Sequence, residues 1–358
     1  MRTSMRHDAM ASLFALLSCG SASAMPFDSF VDRFGKQYAS AEERGKRHAV
    51  FERNVAAIAK LNAQSQGGAK FAINEFADVT PEEFARTHKL SNAALGSNLA
   101  RQNASFTRTS AAADRAAPPA AKNWFGSATT GVRDQGQCGS CWAFSAVEQV
   151  ESDWFLSGKS GWSKPEALSV QQVVDCDTVS AHGCSGTYAG GGGSYDFIAK
   201  NGGLASETNY PYTSGKTKKP GECKHGIATS GGVISNHTYA IKPCGLPWDD
   251  CNDQDEDALV QYVGASGPLA ICVNAHTWQF YKGGVMDGAT CGRHDFASLD
   301  HCVQLVGYAG HPGDSAYWIV RNSWVFSGGK PWGENGLIYL AMGNNTCGLA
   351  NVPSYAIV

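Results

Sequence analysis

The cysteines constrain this 358-residue chain more than any other feature. Eleven of the twelve lie between Cys138 and Cys347, and the twelfth, Cys19, falls in an N-terminal leader. Residues 1–24 read as a secretory signal: Arg2 and Arg6 make a positive start, Ala9 to Leu17 an apolar run, and Ala22-Ser23-Ala24 a small-residue cleavage site that leaves Met25 as the new terminus. The apolar run is too short to span a bilayer, and no later stretch reaches about 18 apolar residues. On the secretory route cysteines form disulfides. Eleven cannot all pair, so the processed chain keeps a free thiol, and Cys141 is the natural candidate.

Cys141 stands in Gln135-Gly136-Gln137-Cys138-Gly139-Ser140-Cys141-Trp142-Ala143-Phe144-Ser145. The stretch is polar and glycine-rich up to Ser140. From Trp142 onward, Ala143, Phe144, Ala146, Val147 and Val150 recur at helical spacing. A loop therefore hands over to a buried helix with Cys141 in its first turn. Unpaired N–H groups and the positive helix end favour thiolate over thiol there, and the thiolate is the form that attacks a carbonyl carbon. By itself, Cys141 reads equally as a buried or bridged structural cysteine.

The surrounding residues decide between these readings. Cys138-Gly139-Ser140-Cys141-Trp142 resembles the sequence around the catalytic cysteine of papain-like cysteine peptidases, the family of papain and the cathepsins. The resemblance extends over residues 118–358. It implies an α+β, two-lobed fold, a helical lobe followed by a β-barrel-like lobe, with the cleft between them. The residue pattern itself reads the same way. Helical stretches at Ser169 to Cys176 and Tyr195 to Lys200 precede short apolar runs at Pro268–Val273, Cys302–Tyr308, Tyr317–Arg321 and Gly336–Leu340.

The chemistry needs a base, an orienting group and an oxyanion donor. His301 opens an apolar strand 160 residues after Cys141, slightly beyond the roughly 130–150 usual for such enzymes. Asn322 ends the strand Tyr317–Arg321, where its side-chain carbonyl can hold the imidazole in one tautomer, and Trp324 can cover that bond. Asn322-Ser323-Trp324 resembles the family motif. Gln135 and the Cys141 backbone N–H are the candidate oxyanion donors. The resemblance implies a Cys141 thiolate beside a His301 imidazolium and an acyl-enzyme intermediate, with no cofactor and no metal.

Residues 25–117 are of another kind, with no cysteine and a charged, helical pattern. Phe27–Tyr38 and Glu42–Asn62 read as amphipathic helices, and Ser40 with Glu43 offers a capping box for the second. Alone, this is a small helical domain of unknown purpose. Glu43, Arg47, Phe51, Asn54, Ile58 and Asn62, however, match the interspersed motif of cathepsin L-type propeptides at every spacing. Ala72, Asn74, Phe76 and Asp78 resemble the second propeptide motif. That implies an intramolecular inhibitor over about 25–90, laid through the cleft in the reverse direction to substrate. A linker spans 91–117 and the peptidase domain 118–358.

The family resemblance further pairs Cys138 with Cys184, Cys176 with Cys223 and Cys291 with Cys347. Cys244 and Cys251 are close enough in sequence to clip a local loop. Cys272 and Cys302 are expected to be free apolar-packing thiols, a fifth bridge being the alternative. The resemblance places Gly190, Gly191, Cys272, Leu299, Asp300, Cys302, Trp324 and Val352 along the substrate cleft. With no carboxylate at Val352, it implies a preference for bulky apolar side chains at the second residue on the acyl side. Phe326–Pro331 is an insertion on the leaving-group side, and no paired-His occluding loop appears, which favours an endopeptidase.

The formal net charge of −3 leaves no polyanion-binding footprint, so nucleic acid is not an expected partner, and neither is a membrane. Polypeptide substrates, the chain's own propeptide and cystatin-type inhibitors are. Sequons at Asn103, Asn236 and Asn344 fit a secreted or lysosomal glycoprotein. Two other readings compete. A thioredoxin-like Cys138-x-x-Cys141 redox pair lacks its βαβ context, and a papain-fold binding module would need none of the four chemical residues.

Overall fold

The computed structural model describes residues 25–90, 117–178, 183–186, 192–244, 251–311 and 315–358. The leader, most of the linker, the Asn103 sequon and Gly190–Gly191 lie outside the described residues. The chain divides into two units, Met1–Gln37 and Tyr38–Val358. The first holds α1 (Phe27–Arg33), with Phe27 and Phe30 buried. It ends before the Tyr38 that periodicity suggests, because Gly35 takes φ +59°, the left-handed turn that closes helices.

In the second unit, α2 (Ala41–Gln64) starts at Ser40, whose hydroxyl accepts the Glu43 N–H. The Glu43 carboxylate reaches back to the N–H of Ala39 (2.7 Å) rather than to Ser40 itself. Three of the propeptide-motif residues hold pieces of the following chain. Arg47 pairs with Glu83 (2.6 Å) and donates to the Asp78 carbonyl. Asn54 donates to the carbonyls of Ala77 and Val79, and Asn62 both donates to and accepts from Phe71. Phe51 and Ile58 are buried between them. These bonds shape β1 (Lys70–Phe71) and the turn into α3 (Pro81–His88), where Thr80 and Glu83 make a complete capping box.

The remaining elements follow in order: β2 (Ala121–Asn123), α4 (Cys141–Leu156), α5 (Val170–Cys176), α6 (Gly192–Asn201), α7 (Ser214–Thr217), β3 (Asn236–Tyr239), α8 (Glu256–Ala265), β4 (Leu269–Val273), β5 (Tyr281–Gly283), β6 (Val285–Met286), α9 (Gly288–Cys291), β7 (His301–Ala309), β8 (Tyr317–Arg321), β9 (Val325–Phe326), β10 (Lys330–Pro331), β11 (Leu337–Ala341) and β12 (Ser354–Ile357). The main sheet runs β3-β12-β4-β7-β8-β11-β6, with β2 added on β7. All its pairings are antiparallel except β11 with β6. Among the described strands the sheet does not close on itself, so the second lobe is an open sheet rather than a barrel.

Helix α4 is the pivot of the molecule. Every residue from Cys141 to Ser152 is buried, as expected for a helix covered on both faces. One face meets β7, β4 and β12, and the other meets α5 and α6. The helix thus joins the helical part to the sheet. No helix among the described residues is long and apolar enough to cross a membrane.

Five disulfides form: Cys138–Cys184, Cys176–Cys223, Cys244–Cys251, Cys291–Cys347 and Cys272–Cys302. The last corrects the expectation that Cys272 and Cys302 are free. The register of β4 on β7 sets them directly opposite, with Cα atoms 4.0 Å apart, and cross-strand neighbours at that spacing are within bridging reach. Among the described residues Cys141 is left as the free cysteine.

Candidate active site

Cys141 is the first residue of α4, after Ser140. The loop before it is tied down by the Cys138–Cys184 bridge and by Ser140 Oγ against the Tyr212 hydroxyl at 2.7 Å. Opposite it, His301 opens β7. The Cys302 backbone N–H points at the Cys141 sulfur, and one turn further on Ser145 Oγ donates to the Val303 carbonyl. Helix start and strand start are therefore held together along a continuous seam.

His301 Nε2 lies 2.8 Å from Asn322 Oδ1, at the end of β8. A carbonyl oxygen only accepts, so Nε2 carries the proton and Nδ1 is left with its lone pair. Nδ1 is buried and has no hydrogen-bond partner among the described residues. Trp324 stacks on the ring at 4.6 Å and Trp278 meets it edge-on at 6.0 Å, so the imidazole is fixed in its plane.

The Gln135 side chain is fully buried, and its orientation follows from its partners. Oε1 accepts from Ser323 Oγ (2.8 Å) and Trp324 Nε1 (3.1 Å), which turns the NH₂ group toward the site. There it donates to the Cys138 carbonyl (2.9 Å) and to the carbonyl of His88 (3.2 Å) at the end of α3.

The segment that follows α3 covers the site. Leu90 N–H donates to the Asp300 carbonyl at 2.7 Å, and Lys89 Nζ pairs with the Asp300 carboxylate at 2.8 Å. Leu90 is buried in the apolar cluster that contains Cys141, Leu299, Cys272, Cys302 and Val352. Gly139 makes room for it: a Cβ there would stand 2.7 Å from the Lys89 carbonyl. Behind this, Phe84 packs edge-on against Trp324 at 5.0 Å, and Asn74 and Gln279 exchange side-chain bonds with each other's backbone neighbourhood. Strand β1 pairs with β5.

Burial opposes the charge that the helix end favours. Desolvation pushes the Cys141 thiol up to about 12, against the opposing pull of the Cys302, Trp142 and Cys141 N–H groups. Desolvation likewise holds His301 down at about 3, outweighing its bond to Asn322. In the covered form burial thus acts against the charged forms of both groups.

Comparison with known proteins agrees with this geometry. Residues 119–357 match the model of the papain family cysteine proteases. The chain belongs to the papain family of cysteine proteases. Residues 27–84 match the cathepsin propeptide inhibitor domain, so this papain-family protease carries its own inhibitor as a zymogen does. It is similar to cysteine proteinase 1 of Dictyostelium discoideum, 36% identical over 93% of this chain and 92% of that protein. Among solved structures it resembles digestive procathepsin L 3 of Tenebrio molitor larval midgut, with a TM-score of 0.70 at 29% identity, over 93% of this chain and 98% of that one. A recombinant stem bromelain precursor matches with a TM-score of 0.71 at 28% identity, over 93% and 97%. The fold of this papain-family chain is that of those precursors.

Sequence reasoning missed His88, Lys89 and Leu90, which lie just beyond the two propeptide motifs. His88 stacks on Phe84 at 4.4 Å and meets Phe76 at 5.0 Å and Trp324 at 5.8 Å. Desolvation holds it down at about 4. Once the cover lifts, the ring returns toward its ordinary 6.5. Between those values the uncovered form takes up a proton that the covered form refuses. The cover is therefore fully favoured above pH 6.5 and weakens as pH falls, by up to about tenfold per unit for this one group. Labelling of Cys141 by a thiol-directed epoxide, in the precursor relative to the mature enzyme, is expected to accelerate below pH 6.5. His88→Phe should flatten that dependence by about one unit of slope.

Proposed function

We propose that this chain is the precursor of a secreted or lysosomal cysteine endopeptidase in which Cys141 is the nucleophile, His301 the acid–base, Asn322 its orienting group and Gln135 an oxyanion donor. The observation that carries the reading is that the propeptide meets Gln135 and the apolar cluster around Cys141 at once. The His88 carbonyl takes the Gln135 NH₂, and Leu90 sits in the cluster around Cys141. An inhibitor that blocks a donor aimed at a carbonyl oxygen is blocking the place where an oxyanion forms.

With the cleft open to water, the desolvation that keeps both groups neutral falls away. The helix-end N–H groups and a neighbouring imidazolium then favour the thiolate. The thiolate attacks the peptide carbonyl, and negative charge gathers on its oxygen against Gln135 Nε2 and the Cys141 N–H. His301 delivers its Nδ1 proton to the leaving amine, and water, deprotonated by the same nitrogen, hydrolyses the thioester. Trp324, stacked on His301 beside Asn322 Oδ1, keeps that hydrogen bond out of water.

The second residue on the acyl side meets Leu299, Val352 and the Cys272–Cys302 bridge, all buried and apolar. Asp300 offers its carbonyl to the peptide N–H, as it does to Leu90. Leu90 itself is the template for a bulky apolar preference there. The five disulfides suit an oxidising compartment, and cystatin-type proteins are candidate inhibitors of the mature cleft. The test is epoxide labelling of mature protein with hydrolysis of peptides carrying Leu, Phe or Arg at that position. Labelling confined to Cys141, with Leu and Phe cleaved at least about tenfold better than Arg, is the expected result. No labelling and no hydrolysis would leave a papain-fold binding protein instead.

A further inference from the structure

After Trp324 the chain does not proceed directly to Trp332. It makes a small hairpin, β9 (Val325–Phe326) against β10 (Lys330–Pro331), with Phe326 opposite Lys330 and Val325 opposite Pro331. Gly328 and Gly329 form its tip at φ +83° and +82°, a left-handed pair that glycine adopts without strain. The tip is exposed, while Val325, Phe326 and Pro331 are half-buried.

What half-buries Phe326 is the propeptide. Phe76 packs on it with ring centroids 5.5 Å apart and planes tilted by 53°. Next to it, both oxygens of the Glu75 carboxylate accept from the Ser327 N–H, at 3.0 and 2.8 Å. The hairpin thus holds a specific pair: an aromatic ring on Phe326 and a carboxylate on the Ser327 backbone, with the exposed Lys330 cation on the same hairpin. Neither contact is needed to fill the oxyanion position or the Leu90 pocket, which lie further along the propeptide. An aromatic path links the hairpin to the site: Phe76 to His88, His88 to Trp324, and Trp324 to His301. Leaving of the propeptide uncovers Trp324 and Phe326 together.

We propose that the Val325–Pro331 hairpin is a substrate-selecting subsite on the leaving-group side, taking an aromatic residue on Phe326 and an acidic residue on the Ser327 N–H. This rests on the peptidase reading above. It adds a second determinant of choice, independent of the apolar pocket on the acyl side. The propeptide gives the order. Running from Phe76 toward Leu90, it traverses the site from the hairpin to the acyl side, opposite to a substrate. A substrate running the other way meets the Phe326 position first and the Ser327 position second. The favoured pair is therefore aromatic followed by acidic, the reverse of Glu75-Phe76.

The experiment uses the mature enzyme and internally quenched peptides with one fixed acyl side. On the leaving-group side they carry Phe-Glu, Glu-Phe, Phe-Lys or Ala-Ala, each pair stepped outward one residue at a time. The expected result is that at one spacing Phe-Glu is cleaved with kcat/KM about fivefold or more above Phe-Lys and Ala-Ala, most of it in KM, the scale of one aromatic contact plus one charge-assisted bond. The Phe326→Ala enzyme should lose the ratio of Phe-Glu to Ala-Ala. Equal rates for the four pairs at every spacing in the natural enzyme would overturn the proposal without any variant. So would a preference that survives Phe326→Ala. Failure of the broader reading looks different, because all peptides, including those without the pair, would stay uncut and Cys141 unlabelled.

Discussion

Replacing Cys141 by Ala is expected to abolish peptide hydrolysis, by roughly 10⁵-fold or more, while leaving the precursor folded. On the proposed reading Cys141 is the nucleophile, and removing one member of such a set costs nearly as much as removing them all. The side chain is buried but small, and Ala keeps the helix start. The comparison that matters is between purified mature enzymes assayed on one peptide, with the thermal midpoint of each precursor measured alongside. Residual hydrolysis within tenfold of the natural enzyme would move the chemistry elsewhere. A Cys141→Ala precursor should also remain intact at acid pH when alone and be cut when natural mature enzyme is added, if maturation is the enzyme's own work.

The second large effect concerns stability. Arg321, the residue before Asn322, is fully buried and meets Glu148 on α4 at 3.0 Å, while its other arm donates to the Thr130 carbonyl at 2.6 Å. Beside it, Arg133 pairs with Glu151 at 2.9 Å, and Glu151 also accepts from Thr130 Oγ1. Glu148 and Glu151 thus meet Arg321 and Arg133 between α4 and the strand that leads to Asn322, with Glu207 at 4.0 Å from Arg133. Burial alone would push the Glu148 carboxyl up, and Arg321 is the largest influence against it. Arg321→Met would leave Glu148 without its nearest cation, at a cost of about 3–5 kcal/mol. For a domain of this size that is a fall of roughly 10 °C in thermal midpoint, measurable on the Cys141→Ala precursor so that self-digestion cannot interfere. Adding Glu148→Gln should recover part of the loss, since removing both charges spares the desolvation that a lone charge suffers. A midpoint within 2 °C of the parent would show the cluster to be solvated in practice.

Much of this was legible in the sequence because it is local. The loop-to-helix change at Cys141, the strand opening at His301, the strand end before Asn322 and the spaced propeptide motif are all short-range patterns, and Arg47, Asn54 and Asn62 turn out to hold the chain that follows their helix. What was not legible depends on register and distance. Cys272 and Cys302 become neighbours only through the pairing of β4 with β7, which no local pattern fixes. The desolvation that works against charge on Cys141 and His301 belongs to the folded precursor as a whole, so a helix-end argument could not find it. Helix α3 carries a readable Thr80-x-x-Glu83 cap, but its buried face is only Phe84 and His88, too short a stripe to stand out as helical periodicity. The Phe326–Pro331 insertion was visible as extra length, but its partner was not.

The missing side chain at Gly139 has a wider reach than its size suggests. A side chain there would strike the Cys184 carbonyl at 2.6 Å and the Lys89 carbonyl of the inhibitory segment at 2.7 Å, and on the peptidase reading a substrate backbone passes the same spot. Latency and turnover are therefore two traffic directions on a single-lane road. Natural drift that narrows the lane to tighten the guard would also turn customers away, so the two properties cannot be tuned separately at this position.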